Sequence, residues 1–222
     1  MYLLAVESAT SAGGAALFCE QELICSRQWN QRGNQTALLL PAIIELLAES
    51  GISFDRLDKV ACGVGPGRFT SLRVAVATAQ GIALARGIQA LAVSTLEALA
   101  QPLIDRGVPV LACVDAGRGQ LYAGLYRADE RGLPLPLIED AAFDAEKLAD
   151  ILPDELIVAG DAGPYFDELC GGRKCMRAPD ELCYPSAVAV GRIALGRPER
   201  AEGPARLQPR YLRRSAAEIN LD

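Results

Sequence analysis

Three stretches of this 222-residue chain hold the residue types from which a reaction centre could be assembled. Glu7-Ser8-Ala9-Thr10 follows an apolar run, where a carboxylate can hold magnesium through water and hydroxyls can meet phosphate. Asp115-Ala116-Gly117-Arg118-Gly119-Gln120 takes the corresponding place after a second apolar run. Carboxylates facing each other across a cleft, with Thr10 alongside, would make a phosphoryl-transfer site of Glu7, Thr10 and Asp115. The same residues suit plain turns, in which Asp bonds nearby backbone and Gly supplies positive φ. The third stretch is Gly63-Val64-Gly65-Pro66-Gly67-Arg68-Phe69-Thr70-Ser71-Leu72-Arg73. A glycine-rich turn from a strand into a helix offers free N–H groups and a positive dipole end to an anion. Its spacing fails both G-x-x-x-x-G-K-[ST] and G-x-G-x-x-G, because Arg68 or Thr70 stands where the third glycine belongs. A tight, closely packed turn accounts for it equally.

Absent residue types narrow the chemistry. The sequence has no histidine, which removes Ser-His-Asp and Cys-His catalysis and any zinc or iron site built on imidazole. The seven cysteines, 19, 25, 62, 113, 170, 175 and 183, are odd in number and form no C-x-x-C. They read as small apolar residues of a reducing compartment rather than a disulfide framework. Cys170, Cys175 and Cys183 match no familiar metal-ligand spacing. Much ordinary hydrolase chemistry is thereby excluded, and neither a metal nor a cofactor of the chain's own is expected. Net charge is −6, the reverse of a free-standing nucleic-acid binder. Residues 192–214 nevertheless hold seven arginines against Glu199 and Glu202, a local +5 that could meet RNA phosphate or an acidic surface, or simply be solvated. The longest near-apolar stretch, 74–85, falls well short of the ~20 residues of a bilayer span, and no basic leader precedes the first apolar run. A soluble, cytoplasmic protein without membrane contact is expected.

The elements that must carry these stretches follow from hydrophobic pattern and turn residues. Apolar runs at 2–6, 15–19 and 23–29 form an antiparallel meander, followed by a helix from Asn34 or Thr36 to Ser50 that Gly51 stops. Strand 59–64, helix 70–86, strand 88–93 and helix 96–103 continue the chain. The order βββαβαβ resembles one ribonuclease-H-like half of an actin-type fold. Strands at 109–114, 121–126 and 156–159, an edge strand or loop at 133–137, and helices at 143–152, 165–170 and 184–196 make a shorter second half. The expected fold class is α/β: an actin-like (ASKHA) fold of two ribonuclease-H-like halves, 1–103 and a truncated 104–222, the last helix free to pack back on the first half.

The first helix is too apolar for one core. On a wheel of residues 38–50, Glu45 and Glu49 share a narrow stripe, while Leu39, Leu40, Ile43, Ile44, Leu46, Leu47 and Ala48 fill the other ~200°, against the ~100° that a surface helix needs. About three large side chains are surplus, each forgoing roughly 1.5–3 kcal/mol if left exposed. Monomers rarely tolerate such a patch, so this face, shared with the Ala-rich helix 71–86, is expected to dock a protein. Cover from both sides by its own chain is the alternative. Alone, a self-complementary face should produce a twofold homodimer. Pro41, within the run, should kink the helix and free a carbonyl.

Val6-Glu7-Ser8-Ala9-Thr10, Leu40-Pro41, Gly65-Pro66-Gly67-Arg68-Phe69-Thr70-Ser71-Leu72-Arg73, Ala79-Gln80-Gly81, Val93-Ser94-Thr95-Leu96 and Asp115-Ala116-Gly117-x-Gly119-x-x-Tyr122 together resemble the TsaB (YeaZ) family. Echoes at Pro204-Ala205 and Tyr211-Leu212-Arg213 extend the likeness toward the C-terminus. The resemblance implies a non-catalytic subunit of the bacterial machinery that places threonylcarbamoyl on the adenosine beside the tRNA anticodon. The transferase TsaD would act in the complex, and the ATPase TsaE would join through the assembled pair. It also implies a partner interface on the first two helices, carried here by Leu39, Leu40, Ile43, Ile44, Leu47, Arg73, Val74 and Ala77, and a vestigial nucleotide contact at Glu7, Thr10 and Asp115. A tRNA contact in the complex stays open. The sequence departs from the family at Glu7 (usually Asp), Gln35 (often His), Arg68 (commonly Ser) and Ser71 (usually Gly). TsaD's iron-binding histidines have no counterpart, and the missing histidine argues against a peptidase role assigned to some relatives. The competing readings are an actin-like phosphotransferase acting on a small molecule or nucleotide, and an RNA-binding module built on Arg210, Arg213 and Arg214.

Overall fold

The computed structural model describes residues 1–30 and 35–212, with Gln35 and Thr36 described by their backbone alone. The alternative helix caps Asn34 and Thr36, and Arg213 and Arg214, therefore lie outside the described side chains. Three strands open the chain as a meander: β1 (Tyr2–Glu7), β2 (Ala12–Cys19) and β3 (Glu22–Asn30). Helix α1 (Gln35–Ser50), strand β4 (Lys59–Gly63), helix α2 (Phe69–Arg86), strand β5 (Gln89–Val93) and helix α3 (Thr95–Ala100) follow. β1 pairs antiparallel with β2 and parallel with β4, and β4 runs parallel to β5. The central strand β1 is buried on both faces from Leu3 onward, and its near-continuous apolar sequence answers that double burial. At the edge, β3 is mostly exposed and polar.

The second half repeats this plan: β6 (Val110–Gly117), β7 (Gln120–Ala128), β8 (Pro134–Asp144), α4 (Ala145–Ala149), β9 (Glu155–Gly160), α5 (Phe166–Cys170) and β10 (Lys174–Arg177). Its strand order, β10-β9-β6-β7-β8, copies the β5-β4-β1-β2-β3 of the first sheet. The shortening falls on the helices, since α4 and α5 have 5 residues each where α1 and α2 have 16 and 18. A last helix, α6 (Ala187–Gly196), is capped by Ser186, whose hydroxyl accepts from the Ala189 N–H at 3.1 Å. Strand β11 (Ala201–Glu202) then joins the free edge of β5.

Several elements differ from the sequence reading. The segment 133–137, expected as an edge strand or loop, opens the edge strand β8, which runs from Pro134 to Asp144, so the expected helix 143–152 shrinks to Ala145–Ala149. The last strand pair explains this, because Phe143 and Asp144 stay in register with Leu121 and Gln120. β10 and β11 have too little apolar sequence to show a period, and the helix expected from Tyr184 starts at Ala187, beyond Pro185. Cys62 and Cys113 are fully buried, while the other five cysteines are partly exposed, and all seven are free thiols.

The terminal helices of the two halves change sides. α3 packs Leu96, Leu99 and Ala100 against Val110, Ala112 and Tyr126 of the second sheet. α6 packs Val190, Ile193 and Ala194 on Leu3, Ala5, Phe18 and Leu91 of the first. Gly191 permits that approach, because a Cβ there would lie 2.1 Å from the Phe18 ring. The opposite face of the first sheet carries α1 and α2 over a core of Leu4, Val6, Leu17, Val60 and Cys62. No helix among the described residues is long and apolar enough to cross a membrane.

Candidate functional site

β1 ends at Glu7, whose carboxylate turns inward. It is fully buried, accepts the Ala9 N–H at 2.6 Å and the Thr95 hydroxyl at 3.3 Å, and lies over Gly63. A Cβ on Gly63 would stand 1.8 Å from Glu7 Oε2, so the glycine at the end of β4 is the space that the carboxylate fills. Burial pushes the Glu7 carboxyl up to about 7, against the lowering effect of its bonds from Ala9, Thr95 and Ser8. Thr10 commits its hydroxyl to its own turn, accepting the Ala12 N–H at 3.2 Å and donating to the Ala12 carbonyl at 3.4 Å.

Asp115 is exposed and accepts the Gly117 N–H at 2.8 Å, an Asx turn. A recess of about 280 Å³ between the halves is lined by Thr10, Arg68, Asp115, Asp161 and Tyr165. Glu7 is not among the recess residues. The expected trio is thus divided: Thr10 and Asp115 share the recess, and Glu7 is sealed behind the sheet's end. A carboxylate pair across a cleft, as a phosphotransferase would need, does not form from Glu7 and Asp115. Among the described residues, no three His, Cys, Asp or Glu side chains come together as a metal site.

The helix pair divides differently from its wheel. Leu39, Ile43, Leu46 and Leu47 are sealed in the core beside Leu72, Ala75, Val76 and Ala79 of α2. Leu39, Ile43 and Leu47 are thus corrected from surface to core: α1 lies in the angle between the β1–β2 sheet face and α2, and both walls draw side chains from it. The surplus is two large residues rather than three, Leu40 at 46% and Ile44 at 50% exposure. Pro41 and Ala48 are exposed with them, as are Arg73, Ala77, Gly81 and Leu84 on α2, where Val74 is half-buried. Gly81 has open space around it, which leaves the α2 backbone approachable. Pro41 stands inside α1 without ending it.

Three of the seven C-terminal arginines, Arg197, Arg200 and Arg210, are committed within the chain. Arg197 is buried and pairs with Glu97 at 3.0 Å and Asp129 at 3.2 Å, and Arg200 meets the same Glu97 at 2.9 Å. Arg210 reaches Asp140 at 3.1 Å, and its N–H donates to the Val64 carbonyl at 2.7 Å. Part of this segment's charge is therefore internal staple, while Arg192 and Arg206 are exposed. The Arg200–Glu97 and Arg210–Asp140 pairs border a cavity of about 450 Å³ over Ala90 and Ala92, where Asp140 also accepts the hydroxyls of Ser94 (2.5 Å) and Tyr126. Burial holds Asp140 above the ordinary carboxylate range even beside Ser94, Tyr126 and Arg210. Because its buried groups are satisfied by one another, the cavity reads as a joint between the halves.

Sequence reasoning missed two groupings. One is the Ser94–Tyr126–Asp140–Arg210 joint, assembled from segments far apart in the chain with no local signal. The other lies at the start of α2, where the Arg73 guanidinium sits 3.7 Å from the Phe69 ring centroid and donates from Nε to the Tyr211 hydroxyl at 2.8 Å. Phe69 and Tyr211 stack with centroids 5.4 Å apart. The i, i+4 spacing of Phe69 and Arg73 was a visible signal for half of it.

A family model described as TsaD, tRNA N6-adenosine threonylcarbamoyltransferase, matches residues 31–156, more than half of the chain. The chain is 34% identical over 140 residues to the tRNA threonylcarbamoyladenosine biosynthesis protein TsaB of Escherichia coli (strain K12), covering 60% of this chain and 58% of that protein. It is 35% identical over 122 residues to the protein of the same name from Haemophilus influenzae, covering 54% and 51%. The matched segment thus spans little more than half the length of these curated relatives. The solved structure of YeaZ from Pseudomonas aeruginosa superposes with a TM-score of 0.86 at 28% identity, covering 95% of this chain and 99% of that one.

Proposed function

The chain belongs to the family of the tRNA N6-adenosine threonylcarbamoyltransferase TsaD, on its TsaB (YeaZ) branch, and from that premise we propose that it is a non-catalytic scaffold of tRNA threonylcarbamoyladenosine synthesis. It docks TsaD through the outer face of α1 and α2, organises the transferase, and lets the ATPase TsaE join the assembled pair. Chemistry takes place in the neighbour. The observation that carries this reading is the helix pair itself: Leu40, Ile44 and Leu84 stand about half open to solvent around the small residues Ala77 and Gly81. A strip of large and small apolar residues is what a partner helix needs to pack closely. The sealed Glu7 supports the same reading, because it withdraws the carboxylate on which a phosphotransferase of this fold would depend. Without TsaD, the strip covers itself in a twofold homodimer.

The test uses the exposed residues only. Leu40→Glu and Ile44→Glu each place a charge in the contact and should weaken TsaD binding at least about 100-fold while leaving the melting temperature unchanged. Both should also shift the isolated protein toward monomer in sedimentation. Co-purification at the wild-type level would remove this face from consideration, and heat on titration with Mg-ATP would return the phosphotransferase reading.

A further inference from the structure

The arginine at the head of α2 is set apart from others in this chain. Arg27, Arg86, Arg131, Arg197, Arg200 and Arg210 each meet a carboxylate of their own chain. Arg73 meets none among the described residues, yet it is held firmly. Its guanidinium lies over Phe69, one helical turn before it, and its Nε–H is taken by Tyr211. Tyr211 is fixed in turn by its stack on Phe69 and by the preceding residue, whose backbone bonds Val64 and whose guanidinium bonds Asp140. The four N–H groups on Nη1 and Nη2 have no hydrogen-bond partner among the described residues, and the side chain is exposed. Phe69 and Tyr211 are themselves 43% and 46% exposed, an aromatic platform beside a cation on a monomer surface.

We infer that Arg73, positioned by Phe69 and Tyr211, is a preset receptor for an acidic side chain of the protein that docks on α1 and α2; this rests on the docking reading above. An unrestrained arginine loses rotamer entropy when it is fixed, and here stacking and the Tyr211 bond have already imposed that order. The remaining edge is the two-pronged one that matches a carboxylate. The surrounding strip is apolar, so a pair formed there on docking is shielded from water and strengthened. A polyanion would require several free cations together. This helix pair instead offers exposed Glu45 and Glu49 on α1, which favours a single carboxylate within a protein interface over an RNA backbone.

TsaD affinity of the full-length chain, read by calorimetry for wild type, Arg73→Gln, Arg73→Lys, Tyr211→Phe and Leu40→Glu, tests the inference. Arg73→Gln and Arg73→Lys should each weaken binding about 10- to 100-fold, since lysine can neither stack flat nor fork. Tyr211→Phe keeps the stack, loses the hydroxyl, and should weaken binding several-fold; raised salt should narrow all three differences. Wild-type affinity in Arg73→Gln alongside abolished binding in Leu40→Glu would overturn the receptor and leave the docking face standing. Full rescue by Arg73→Lys would overturn the fork, and loss of tRNA binding by Arg73→Gln with TsaD affinity intact would make the ligand a phosphate. Failure of the wild type to bind TsaD would remove both readings.

Discussion

Glu7 shows how burial sets the chemistry of a carboxylate at a strand end. Its carboxyl is raised to about 7 by burial, where an open glutamate titrates near 4.5. A raised acid contributes stability that is complete below pH 4.5, declines as pH rises, and is lost above about pH 7. The difference corresponds to about 3 kcal/mol. Glu7→Gln keeps an acceptor for the Ala9 N–H and removes the titration. The variant should match wild type in denaturant unfolding at about pH 4.5 and exceed it by up to about 3 kcal/mol at about pH 8. Equal pH slopes for the two proteins would mean that the carboxylate is solvated. The sequence put Glu7 at the correct strand end but could not give its direction, because that depends on Gly63, a residue of another strand.

At the scale of the helix, neighbouring residues in α1 have different fates. Leu39 and Ile43 are sealed, and Leu40 and Ile44, one position later in each turn, are open. Leu39→Ala should therefore cost about 3 kcal/mol of folding stability, roughly 10 °C in melting temperature, whether or not a partner is present. Leu40→Ala should leave the melt within about 1 °C. Differential scanning calorimetry of the two variants separates core from contact surface, and equal losses would dissolve the distinction. A wheel gives the width of an apolar stripe but not the number of neighbours that flank it. α1 meets a sheet on one side and α2 on another, which reduced the surplus without removing it. The legible part was that a surplus existed; which residues composed it required the three-dimensional packing.

Across the whole molecule, the βββαβαβ order of the first half was readable because β1, β2 and β4 are apolar runs and Gly51 and Gly87 stop its two long helices. Its duplicate was harder to see. α4 and α5 have one turn or so each, and β8 carries Pro134 and Pro136, so neither a helical nor a strand period develops. The arginine-rich end was legible as charge but not as structure, since ion pairs such as Arg197–Glu97 join residues 100 positions apart. Read along the chain, those arginines could meet phosphate, an acidic surface or only solvent; folded, Arg197, Arg200 and Arg210 tie β8 and α3 to the segment that carries them.

The exchange of α3 and α6 between the two sheets has a practical corollary. A chain split after Gly107 yields two pieces that each carry a helix belonging to the other and each lack the helix that roofs their own sheet. Fragment 1–107 bares Leu3, Phe18 and Leu91 on one side and Leu96 and Leu99 on the other. Produced separately, both pieces should be insoluble. Produced together, they should reassemble into one particle that a tag on either piece recovers, and a soluble, cooperatively melting single piece would refute the reciprocity. The protein is two copies of one design that have become unable to live apart.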